Sequence, residues 1–206
     1  MFYDIKQSTK IKFSKMKYRK IIVTQEQFDK KLEKVKDLEK FRFRVWDLSL
    51  NLIKRHPIEG YLLLLFTWNF AYTRYYIKTF DLEKFNNTIN KIKPLLRTIK
   101  NIDFKNLDLK NKIVKNNIIK IFNLLREDIK QTGATKVMAL MKPDLFVMWD
   151  TAIRKMYHIN NKATGEDYIK FLQRQKDTFN NIKWNKKNRT FAKAIDEFNF
   201  IKANKL

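Results

Sequence analysis

Apolar residues recur at three- and four-residue intervals along most of the chain, a spacing that predicts amphipathic helices. Phe28, Leu32, Val35 and Leu38 form the first stripe, behind Thr24-Gln25-Glu26-Gln27, where Thr24 and Gln27 fit a capping box. A second helix is predicted from about Arg44 to Arg55, stopping before Pro57, and a strongly apolar third from about Ile58 to Thr79. Asp81 is placed to cap a fourth, with Leu82, Phe85, Ile89 and Ile92 on one face and Pro94 bending or ending it. Asp108 reads as the cap of a long fifth helix with Leu109, Ile113, Ile118, Phe122, Leu125 and Ile129 inward. That helix is expected to stop at Thr132-Gly133, where glycine tolerates a positive φ. A short helix from about Lys136 to Met141 follows, cut off by Pro143, and others begin near Asp150, Thr164 and Asn188. Strand-like alternation is sparse and confined to the loosely alternating stretch from Lys10 to Val23.

The expected class is therefore all-α: one compact multi-helix domain over 24–206, preceded by a basic N-terminal arm over 1–23. The run Tyr61 to Ile77 is broken by Thr67, Asn69, Thr73 and Arg74, so it reads as a buried central helix and no membrane partner is expected. The first twenty residues do not read as a targeting segment, because no apolar stretch follows their lysines.

Composition narrows the chemistry. The 206 residues contain no Cys, three Gly and two His, which removes disulfides, thiolate metal sites and Gly-rich nucleotide loops. No cofactor and no metal are expected, and the cysteine-free chain suits a reducing, intracellular (cytoplasmic) setting. Lys and Arg number 45 against 21 acids, a formal charge of +24. An excess of this size favours polyanions, nucleic acid first and DNA before RNA, bound by a monomer. A lysine-rich composition that merely solvates helix faces is the plainer reading of the same numbers.

The stretch Gln131 to His158 carries the candidate chemistry: QTGATKVMALMKPDLFVMWDTAIRKMYH. It reads as helix, tight glycine turn, short helix, loop, and a new helix opening at an aspartate. Amides of Gly133, Ala134 and Thr135 in such a turn would grip a backbone phosphate at the positive end of the following helix. Gly133 to Val137 (GATKV) and Trp149 to Arg154 (WDTAIR) resemble the helix-hairpin-helix DNA glycosylases and glycosylase-lyases, the helix-hairpin-helix falling at about 113–142. The resemblance implies a base-excision enzyme with Lys136 as amine nucleophile and Asp150 as essential carboxylate, acting on a flipped nucleotide. Lys136 stands beside a helix start and before an apolar run, surroundings that lower an ammonium pKa. Solvation or phosphate contact for Lys136, and helix capping for Asp150, are the structural alternatives. A non-catalytic basic protein that keeps the turn as a phosphate clamp is the alternative for the whole chain.

Further nucleic-acid contacts are expected from Arg154 and from Lys183, Trp184, Lys186 and Lys187, where a Trp interleaves with cations. The competing reading folds Trp184 into the core. Trp68, Asn69, Tyr72 and Tyr76 share the apolar helix and are read either as a base pocket or as packing. Glu127-Asp128 and Glu166-Asp167 are adjacent pairs that point to different helix faces, which argues against a two-carboxylate hydrolase.

Overall fold

A computed structural model describes residues 22–38, 40–69, 74, 77–160, 162–185 and 188–205. Among them lie eight α-helices, a 3-10 turn at Ile77–Thr79, and no strand. The helices are α1 (Gln25–Leu38), α2 (Lys40–Leu52), α3 (Pro57–Trp68), α4 (Leu82–Thr98), α5 (Lys112–Met141), α6 (Thr151–Met156), α7 (Gly165–Phe179) and α8 (Phe191–Ala203). The all-α class is thus observed. The N-terminal arm lies outside the described residues except for Ile22 and Val23, whose Val23 amide donates to the Thr178 carbonyl at 3.2 Å.

Local chemistry starts most of these helices. Thr24 Oγ1 accepts from the Gln27 amide and Gln27 Oε1 from the Thr24 amide, each at 3.2 Å, the reciprocal box expected at α1. Asp81 caps α4 through the Lys84 amide at 2.9 Å, and Thr164 with Asp167 forms a second box at α7. Several boundaries differ from the pattern-based reading: α2 runs Lys40–Leu52 rather than about Arg44 to Arg55, and α3 ends at Trp68 rather than near Thr79. Asn111 rather than Asp108 caps α5, because Asp108 is turned onto the Lys110 amide; Ile113, in the first turn, is 68% exposed. Pro94 does not end α4, which continues to Thr98.

α5 is the hub, packing against α3, α4 and α7 through Ile118, Ile121, Phe122 and Leu125. α7 starts so close to it that an added Cβ on Gly165 would lie 2.7 Å from the Ile119 carbonyl oxygen, which explains the glycine there. α8 crosses α1 and α6 and is buried around most of its circumference. The Phe28 ring stacks on Phe198 at 5.5 Å and meets Phe179 and Phe191 edge-on, joining α1, α7 and α8.

The expected helix stop at Gly133 is absent. α5 carries its one non-helical residue three positions earlier, at Lys130 (φ 58°, ψ 175°), and Gly133 has no positive φ. Ala134, Val137, Met138 and Leu140 are buried, and all but the β-branched Val137 are good helix formers, so packing on both sides carries the helix through the glycine. Gly133 instead lets the Leu65 side chain of α3 come within 3.3 Å of where a Cβ would stand.

Candidate functional site

The segment from Lys130 to Asp150 folds back on itself and is fastened at one point. Thr135 Oγ1 lies 3.3 Å from both the amide nitrogen and the carbonyl oxygen of Trp149, while the Trp149 indole donates to the Gln131 carbonyl at 3.0 Å. The next residues in sequence, Lys136 on α5 and Asp150 before α6, thereby line one cavity of about 80 Å³. Lys193, Asp196 and Glu197 of α8 line it too, with Val35, Trp68 and Ile153 among its apolar walls.

Each ionisable member is held. The Lys136 ammonium donates to the Trp68 carbonyl, and the residue is only 6% exposed. Asp150 Oδ1 caps α6 by accepting from the Ile153 amide at 2.7 Å; the other carboxylate oxygen is not used by that cap. Lys193 pairs with Asp196 at 2.8 Å and Glu197 at 3.5 Å, and Arg189 reaches Glu197 at 2.6 Å. The Lys193 ammonium also sits 5.1 Å from the Trp46 ring centroid and 5.0 Å from that of Trp68, beside two rings that stack on each other at 5.9 Å. The Trp68 indole N–H is buried and meets no acceptor among the described residues.

Burial pushes the Asp196 carboxyl above its ordinary range, a shift that the Lys193 ammonium opposes and the Asp150 charge reinforces. Burial raises Glu197 likewise, against the pull of Lys193 and Arg189. For Lys193 desolvation works against the charge, but Asp196 and Glu197 outweigh it and hold the ammonium above its usual pKa. The site is therefore two amines and three carboxylates around a partly open space, in which burial favours the protonated form of Asp196 and Glu197.

The structure brings together the two residues expected to do chemistry and removes most of those expected to hold a phosphate. Gly133, Ala134 and Thr135 are buried inside α5, so their amides form no exposed turn. Arg154 is 4% exposed and donates to the Asn160 carbonyl and Thr151 Oγ1, an internal brace whose charge burial disfavours. Trp184 packs edge-on against Phe28 and donates to the Arg189 carbonyl at 3.0 Å, which removes it as a stacking platform. The exposed Lys183 has its amide on Gln25 Oε1. Lys186 and Lys187, like Tyr72 and Tyr76 of the apolar run, lie outside the described residues.

Sequence reading missed Lys193, Asp196 and Glu197. The available signal was their i, i+3, i+4 spacing inside FAKAIDEFNF, where apolar residues cover the rest of the helix and leave the charges no solvent face. Among the described residues no group of three or more His, Asp or Glu is placed to hold a metal, and no helix is long and apolar enough to cross a membrane. No protein-family model, no curated protein and no solved structure matches this chain.

Proposed function

We propose that the protein is a base-excision-type enzyme acting on DNA, with Lys136 as amine nucleophile and Asp150 as its carboxylate partner. The observation that carries this reading is the shared cavity: two residues from separate segments meet there with three further buried charges. Buried charges are costly unless paired, and where they converge on a cleft a catalytic role has a physical rationale. The resemblance places a helix-hairpin-helix at about 113–142, where α5 instead runs on through Gly133 with its kink at Lys130, so the reading draws no support from that motif.

Size selects within that class. A cavity of about 80 Å³ is about half of the roughly 150 Å³ that takes a benzene ring, and a nucleobase is larger still. The aldehyde end of a ring-opened abasic sugar is small enough, so lyase chemistry is favoured over base removal. Lys136 must first lose a proton, and the second oxygen of Asp150 or the Asp196 carboxyl receives it. The neutral amine adds to C1′, the resulting hydroxyl leaves as water after protonation, and a Schiff base forms. Loss of a C2′ proton then breaks the C3′–O bond and expels the 3′ phosphate.

Lys136 and Asp150 each also perform a structural task, the bond to the Trp68 carbonyl and the α6 cap. That observation favours a second reading, a non-catalytic basic helical nucleic-acid-binding protein. Borohydride trapping on abasic duplex DNA separates the two. The first reading expects a covalent adduct from the wild type, none from Lys136→Met, and slowed trapping by Asp150→Asn, which keeps the cap. Salt-sensitive binding with no adduct from the wild type assigns the second.

A further inference from the structure

α1 has three distinct faces. At 100° per residue Phe28, Leu32 and Val35 turn inward, Glu26, Asp29 and Glu33 fall on one flank, and Gln27, Lys30, Lys31 and Lys34 on the other. The basic flank does not face open solvent alone. It borders a groove of about 600 Å³ whose opposite wall is Phe198 and Lys202 of α8, with Ile22 and Val23 at one end. Of the described residues lining it, four are lysines and none is acidic. Lys202 lies over the Phe198 ring at 6.0 Å, and its ammonium is disfavoured first by burial and then by the charge of Lys31. Converging cations of this kind are a standing electrostatic cost that a bound polyanion relieves.

We infer that the groove carries one strand of nucleic acid, its phosphates against Lys30, Lys31, Lys34 and Lys202 and a base against Ile22. Ile22 is 52% exposed, and Lys30 and Lys34 lie a helical turn apart, which allows successive phosphates to be met from one helix face. A recess lined by lysines with a single exposed apolar residue suits a strand better than a bilayer, which asks for protruding apolar surface. The inference rests on the nucleic-acid part of the proposed function, not on its chemistry.

Fluorescence anisotropy of the full chain with a labelled thymidine oligonucleotide, across a salt series, tests it. The triple variant Lys30→Ala, Lys34→Ala, Lys202→Ala is compared with Lys115→Ala, Lys120→Ala on the exposed side of α5, circular dichroism confirming that both fold. The groove variant is expected to bind about tenfold or more weakly at moderate salt, with the log–log salt slope reduced by about two, at ~0.7 per lost phosphate contact. Equal affinity of the groove variant and the wild type overturns the proposal. So does groove-dependent binding to phosphatidylserine vesicles with strand binding unchanged. Borohydride trapping keeps the two proposals apart: absence of an adduct together with groove-dependent binding removes the lyase reading and leaves the groove.

Discussion

Thr135 and Trp149 are joined through a single hydroxyl, which lies 3.3 Å from both the Trp149 amide nitrogen and the Trp149 carbonyl oxygen in a fully buried setting. This contact sets the spacing of their neighbours, Lys136 and Asp150, and so the geometry of the cavity. Thr135→Val keeps the shape and removes the acceptor, leaving a buried N–H unpaired at a cost of about 1–3 kcal/mol. Denaturant unfolding should show that loss, and borohydride trapping should fall more than DNA affinity. Thr135→Ser should restore trapping; a Val variant as stable as the wild type would mean the hydroxyl holds nothing.

The glycine and the unusual backbone of α5 are out of register. Lys130 has φ 58° and ψ 175°, a region natural to glycine, whereas Gly133 is helical. Lys130→Gly is expected to relieve about 1–3 kcal/mol of backbone strain, read as a raised Tm. Gly133→Ala gains about 1 kcal/mol of helix propensity but presses a methyl to 3.1 Å from the Ile129 Cβ and 3.3 Å from Leu65. Its net effect should be small, and DNA binding should not change. Gly165→Ala, by contrast, meets backbone at 2.7 Å and should destabilise strongly. A collapse of DNA binding in Gly133→Ala with the fold intact would restore the turn to the binding surface.

Lys193 is the cation on which the buried carboxylates depend. Lys193→Met leaves Asp196 with no ion pair and Glu197 with Arg189 alone among the pairs seen here. Breaking such a pair costs about 3–5 kcal/mol at neutral pH. Asp196 and Glu197 already have raised pKa values, so their contribution is present below the unfolded carboxylate range and lost as pH rises through the folded values. Removing Lys193 raises them further. Thermal melts should therefore show a deficit that is largest near neutrality and shrinks towards about pH 4; a deficit independent of pH would place the effect in packing instead.

Three buried phenols set the alkaline limit. Burial raises Tyr61 to about 12, and raises Tyr157 and Tyr168 as well, with Tyr168 also bonded to the Val147 carbonyl at 3.0 Å. Unfolded tyrosine ionises near about 10, so their contribution is complete below that pH and is lost as pH rises through the folded values. Ultraviolet difference absorbance should show these phenols ionising together with loss of near-ultraviolet circular dichroism. Tyr61→Phe should soften that limb. Ionisation of all three near pH 10 with the fold intact would contradict the burial.

How much of the site was legible depended on whether a residue's task is local. Asp150 as a helix-opening carboxylate follows from the residues beside it, and Lys136 was singled out by its immediate neighbours. The phosphate-clamp role of Gly133 to Thr135 failed because glycine permits a turn without demanding one; apolar residues on both sides let packing choose the helix. Trp184 and Arg154 look exposed in a polar sequence, but the core claims the indole and two internal acceptors claim the guanidinium.

The sequence alone determined the helical class and most helix starts. A repeat of 3.6 residues and side-chain caps act within a few positions, so they are readable wherever they occur. Only the tertiary structure decided that α5 breaks at Lys130, and that Trp68, Lys136, Asp150, Lys193, Asp196 and Glu197 surround one space. Those outcomes depend on which faces of distant helices find each other and on the cost of charges buried there, quantities that no local pattern encodes.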